Sequence, residues 1–298
     1  MSLTNKSLVF LAIAFAVSWG ANFAGVALGW NHDPTKAFIV LVVMMFGPAI
    51  AALTCALAFE RGRVTQMLGL NPFSPNWWWL GAWVVGLVLA VGSVLFTVLF
   101  SDNGLTDPAQ ATIAQVEHMV GADEAAELRQ IPMLGLLIVA QSVVMGPIIN
   151  APILTFSEEL GWRGYLHALW RPFGFWRSSL ATGAIWGVWH APAIYFYGLN
   201  YPENRELGIV LFIVFCTLLA PIVTLVRDRG GNVVAAGILH GTINAVAGLA
   251  ALALNAPAFP WNGAVGIGGF ITLMLMVVAV WLSQQRVRPS EATLSRGA

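Results

Sequence analysis

Three short stretches place ionisable side chains inside otherwise apolar runs. They are Ser157-Glu158-Glu159-Leu160-Gly161-Trp162-Arg163, Trp186-Gly187-Val188-Trp189-His190-Ala191-Pro192, and His240-Gly241-Thr242-Ile243-Asn244. An ionisable residue surrounded by lipid is costly, so each is by default a candidate functional residue. Adjacent carboxylates on a helix point about 100° apart and cannot share one role. Glu159 and Arg163 stand four residues apart on one face, in the acid-first order that favours an ion pair. Glu158 points elsewhere and has no partner in its own helix. The plain reading of both carboxylates is a solvated helix end, but Glu158 lies well before the loop that opens at His167. His190 alone reads as a core histidine, packed by Trp186 one turn earlier. His240 and Asn244 project from one helix face, with about 6 Å between their Cβ atoms. Their plain reading is hydrogen bonding between helices.

These groups suit hydrolysis. A carboxylate and a histidine facing a water act together as a general base. A carboxylate and two histidines (here Glu158, His190 and His240) can instead hold a divalent metal such as zinc with an open position. No metal is demanded, and no His-Glu-x-x-His zinc helix is present. A second histidine and an Asn amide are suitable donors to the oxyanion that forms when water attacks a carbonyl. No Ser or Cys stands in a nucleophile motif, which favours direct attack by water over an acyl-enzyme. The reaction these residues describe is cleavage of a peptide bond.

Lipid must be the solvent of the elements that carry them. Of 298 residues, 58% are hydrophobic and 9% charged, and the mean hydropathy is +0.77. A soluble domain carries about 25% charged residues. The expected fold is an all-α, polytopic membrane bundle of eight spans, at 8–30, 37–59, 77–100, 133–166, 178–198, 207–226, 232–254 and 262–283. Trp77, Trp78 and Trp79 open the third span, where amphipathic rings favour the interface. With both termini in the cytoplasm, the inside cations are Lys6, Arg61, Arg63, Arg163, Arg171, Arg177, Arg227, Arg229, Arg286, Arg288 and Arg296. Outside remain Lys36, Arg129 and Arg205. The positive-inside rule supports this arrangement. On it, the fourth span descends while the fifth and seventh ascend. Glu158, His190, His240 and Asn244 then share one layer, about 12–18 Å from the cytoplasmic boundary at 1.5 Å per residue. Unrelated structural residues have no reason to align in depth.

The long outside connection, Ser101 to Pro132, is acidic. Ile113, Val116, Met119 and Val120 recur in it at helical spacing, predicting a short amphipathic helix on the outer surface. Between a lid and a solvated connector, the connector is the favoured reading. Cys55 and Cys216 fall in apolar runs and read as small core residues. The first apolar run is too long for a signal-peptide core, and the tail after Arg286 is expected to be disordered. Zero net charge gives no footprint for nucleic acid. Three parts are expected: 1–132 with three spans and the acidic loop, 133–254 as the catalytic core, and 255–298 with the last span and tail.

Taken in order, Glu158-Glu159-x-x-x-Arg163, Trp186-x-x-x-His190 and His240-x-x-x-Asn244 resemble the signature of a family. It is the CAAX protease and bacteriocin-processing (CPBP, or Abi) membrane peptidases, which include the Ras-converting-type CAAX endoproteases. The resemblance covers about 133–254, and Trp186 replaces the more usual Phe. It implies that Glu158 and His190 activate the water, that His240 and Asn244 hold the oxyanion, and that Glu159 and Arg163 support them. Members are described both as metallopeptidases and as glutamate-dependent enzymes, so the resemblance leaves a metal open. It implies a peptide or protein substrate, prenylated in eukaryotic relatives, and a site in the cytoplasmic half of a cell membrane, here expected to be a bacterial inner membrane. Two other classes compete. One is a non-catalytic immunity or scaffold protein on the same fold. The other is a proton-coupled transporter, which the lack of an internal repeat disfavours.

Overall fold

The structure is a computed structural model that describes residues 1–255 and 257–286. The tail expected to be disordered lies outside the described residues. Eleven helices carry the fold: α1 (Leu3–Ala27), α2 (Pro34–Phe59, bent at Phe46), α3 (Trp77–Phe100), α4 (Pro108–Met119), α5 (Ala122–Arg129), α6 (Leu134–Phe173), α7 (Phe175–Trp189), α8 (Ala191–Tyr197), α9 (Arg205–Gly230), α10 (Val233–Leu252) and α11 (Ile267–Arg286). Among the described residues there is no strand, only an isolated antiparallel bridge between Leu105 and Leu254.

Seven of the helices are long and apolar enough to cross a membrane: α1, α2, α3, α6, α9, α10 and α11. The protein is therefore an all-helical membrane protein. The predicted fifth span, 178–198, departs from expectation, because it is not one helix. It breaks at His190 into α7 and α8. Pro192 has no N–H to continue the ladder, and the His190 N–H bonds back only to Gly187 O at 3.1 Å. The carbonyls left over at the break are taken by side chains. His190 Nδ1 meets Trp186 O at 2.8 Å, and Trp19 Nε1, from α1, donates to Trp189 O at 3.1 Å.

Short polar side chains start the spans where they leave the loops. Asn76 accepts from the Trp78 N–H and Asn232 from the Val234 N–H, meeting backbone donors that a helix start leaves without partners. The exposed faces are apolar, as lipid requires: Leu95, Leu99, Ile148, Ile149 and Ile153 are examples. Helix α6 changes character along its length. From Thr155 to Leu166 it is a π-helix, a form concentrated at functional sites. The segment is wedged against its neighbours. A Cβ on Gly161 would lie 2.5 Å from Pro48 Cβ, and one on Gly164 would run into Leu68 O. These glycines let α2 and the chain after it approach the backbone of α6.

Helix α10 packs between α6 and α3, and α9 packs along α7. Cys55 and Cys216 are buried and unpaired, as expected of core residues. Arg163, one of the cations read as inside, has a side chain 1% exposed, within α6. The acidic connection between α3 and α6 does form a helix at Pro108–Met119, with Met119 and Val120 exposed.

Candidate active site

Glu158 from the π-helical part of α6, His190 at the α7–α8 break, and His240 and Asn244 from α10 line one cavity of about 310 Å³. Its remaining wall is largely apolar, with Met44, Trp186, Phe212 and Phe215 among the lining residues. All four residues predicted to do the chemistry thus meet in one place, although residues 158 and 244 lie on different helices. Glu158, His190 and His240 are buried, while Asn244 is open to the cavity.

Each histidine has one nitrogen committed. His190 Nδ1 lies 2.8 Å from the Trp186 carbonyl, which can only accept, so Nδ1 carries the proton. A neutral His190 then presents Nε2 as an unprotonated acceptor. His240 Nδ1 lies 2.8 Å from Glu159 Oε1, again an acceptor, and again Nε2 is left over. The rings are braced by edge-to-face contacts. His190 stands 4.6 Å from Trp189 and 4.7 Å from Phe212, and His240 stands 5.1 Å from Trp186, between ring centroids.

Behind the cavity sits a buried charge pair. Arg163 Nη1 donates to Glu159 Oε1 at 3.0 Å, and neither side chain is more than 1% exposed. The i,i+4 spacing predicted this contact. It did not predict that Glu159 would also hold His240, because nothing in spacing along one helix specifies the neighbour across it. Glu158 takes a different partner, Trp186, whose Nε1 donates to Oε2 at 2.7 Å. Sequence reading had given Trp186 only a packing contact with His190, which is also present at 5.8 Å between centroids. Arg227, which the sequence marks only as a cation near a helix end, donates from Nε to the Arg163 carbonyl at 3.1 Å. It pins the π-helical backbone.

The candidate metal set is Glu158, His190 and His240. Among the described residues no three His, Cys, Asp or Glu side chains stand close enough together to hold a metal ion. Glu158 has one oxygen committed to an indole and His240 one nitrogen committed to a carboxylate. The three line one cavity without converging on a common point, so no step is routed through a metal.

Residues 135–246 match a family described as type II CAAX prenyl endopeptidase Rce1-like. The matched stretch runs from the start of α6 into α10 and contains Glu158, Glu159, Arg163, Trp186, His190, His240 and Asn244. It supports a CAAX-type family assignment and, at the level of the family, an intramembrane endopeptidase. No curated protein matches the chain.

Proposed function

We propose that the protein is an intramembrane endopeptidase in which Glu158 and His190 activate a water that attacks a peptide carbonyl. His240 and Asn244 hold the resulting oxyanion. The observation that carries this reading is the convergence of these four side chains, from separate helices, on one cavity. The Glu158 carboxylate takes a proton from the water as the water oxygen bonds to the carbonyl carbon. The carbonyl oxygen becomes an oxyanion, and the Asn244 amide is free to donate to it, since it makes no other side-chain hydrogen bond among the described residues. Glu158 then returns its proton to the leaving nitrogen, the C–N bond breaks, and a new carboxyl and amine are released.

The histidines divide the remaining work by tautomer. His190, with Nδ1–H tied to Trp186 O, offers its Nε2 lone pair to the second water hydrogen and aims the oxygen. His240 donates through Nε2 only when its ring carries both protons. The Glu159 carboxylate on Nδ1 balances that charge, in the way a buried carboxylate supports an imidazolium in a catalytic triad. Arg163 in turn keeps Glu159 from standing as an unpaired buried charge.

The substrate class that fits is a CAAX-type or peptide-maturation substrate, cleaved in the cytoplasmic half of the membrane. The test is cleavage of a panel of prenylated and unprenylated peptides by the purified protein in detergent, with Glu158→Gln and His240→Ala beside it. Cleavage lost in both variants supports the reading. Cleavage undiminished in either variant overturns the roles given to these residues, and no cleavage of any peptide, with a partner-protection phenotype that survives both, overturns the reading in favour of a binding role.

A further inference from the structure

Trp186 touches more of the site than any role in packing requires. Its side chain is 2% exposed and its indole N–H reaches Glu158 Oε2 at 2.7 Å. This is the one hydrogen bond the Glu158 side chain makes among the described residues, so it fixes one carboxylate oxygen and leaves the other free. Over the same indole ring lies the Arg163 guanidinium, 4.4 Å from the centroid. A cation on the ring face draws electron density from the ring, which makes the N–H a better donor. The backbone carbonyl of the same residue accepts from His190 Nδ1 at 2.8 Å. One residue therefore orients both groups assigned to the attacking water, one through its side chain and one through its main chain.

We infer that Trp186 is a positioning residue that sets the Glu158 carboxylate for water activation through its indole N–H. This rests on the peptidase reading of the same site. Phenylalanine at this position keeps an aromatic face for Arg163 and keeps the backbone carbonyl for His190, but it has no donor. A carboxylate held by a single hydrogen bond rotates once that bond is removed. The water it addresses is then met in the wrong geometry, while the cavity wall that receives a peptide is little changed.

The experiment compares wild type, Trp186→Phe, Glu158→Gln and the double variant in detergent, by peptide cleavage and by thermal unfolding. Trp162→Phe is the control for lost indole volume. Trp162 is fully buried nearby, and its Nε1 has no partner. Loss of a hydrogen bond to a charged group predicts that Trp186→Phe lowers kcat about tenfold or more and leaves KM within about twofold, because the bond acts on the carboxylate and not on bound peptide. Trp162→Phe loses less in kcat. In unfolding, the Trp186→Phe and Glu158→Gln shifts fail to add, since Phe removes the donor while Gln, which keeps an acceptor oxygen, removes the charge that strengthens the same bond. A kcat for Trp186→Phe no lower than for Trp162→Phe, with additive shifts in unfolding, overturns the inference while leaving the peptidase reading intact. Undiminished cleavage by Glu158→Gln would instead overturn the role of Glu158 in water activation on which the inference rests, and the unfolding cycle would still report whether the two side chains are coupled.

Discussion

At the scale of single residues, the site works by committing one atom of each group and leaving the other. His240 gives Nδ1 to Glu159, His190 gives Nδ1 to a carbonyl, and Glu158 gives Oε2 to Trp186. The Asn244 side chain makes no hydrogen bond among the described residues, which is why its amide suits the oxyanion. Asn244→Ala is expected to lower kcat about 10²- to 10³-fold, the usual effect of removing one oxyanion donor, with unfolding unchanged. A loss of thermal stability in place of the kinetic loss would make Asn244 structural. Arg163→Met leaves Glu159 as a buried carboxylate partnered by His240 alone. It should destabilise by about 3–5 kcal/mol, read as a large drop in Tm, whereas Met in place of an exposed Arg would barely register. Sequence spacing made the Glu159–Arg163 pair legible, because both residues sit on one helix. The Glu159–His240 and Glu158–Trp186 bonds were not legible. Each joins two helices, and their partners depend on how those helices are rotated against one another.

At the scale of elements, close approach and broken helices bring the groups together. Gly237 and Gly241, one turn apart on α10, lie against the backbone of α6. A Cβ on Gly241 would stand 2.6 Å from the Ala151 nitrogen and 2.8 Å from the Asn150 carbonyl carbon. Small residues at such spacing let membrane helices meet backbone to backbone. That contact sets the distance between Glu159 and His240. Gly241→Ala therefore pushes α10 away from α6. Overpacking of this kind typically costs about 1–3 kcal/mol, and activity should fall together with Tm. Full activity in Gly241→Ala would show that the site tolerates a shifted α10. The third span is legible at its true bounds, Trp77–Phe100, because interfacial tryptophans mark its start. The break at His190 was not foreseen. A hydropathy run carries no record of which carbonyls will find side-chain partners, and Pro192 alone is compatible with a bend or with a stop.

At the scale of the whole molecule, the chain places its chemistry in the α6–α10 region and braces it with helices from outside that region. Trp19 on α1 holds the carbonyl next to His190, and Lys6 and Arg63 both bond to the buried carboxylate of Glu60, which ties the start of α1 to the end of α2. Burial alone would raise the Glu60 carboxyl, but the hydrogen bonds and charges of Lys6 and Arg63 outweigh it and hold the group below its ordinary value. A carboxyl lowered in the folded state contributes stability above its unfolded pKa, and that contribution is lost as pH falls through the folded one. Lys6→Met should thus lower Tm at neutral pH, and its deficit should shrink as acid protonates Glu60. A deficit independent of pH would mean that Lys6 contributes by packing. The orientation of the termini is a separate expectation. If α7 and α8 together complete a crossing, both ends face the cytoplasm. A fluorescent protein fused to the C-terminus then lights up, whereas an odd number of crossings leaves it dark on the far side.

The central claim is that Glu158 drives peptide hydrolysis, and the most direct measurement is single-turnover cleavage by wild type and Glu158→Gln, with thermal unfolding checked on the same samples. The account predicts a folded variant with Tm near wild type and no detectable cleavage of a peptide that wild type cuts. A folded Glu158→Gln that cuts the same bond at a comparable rate would contradict it.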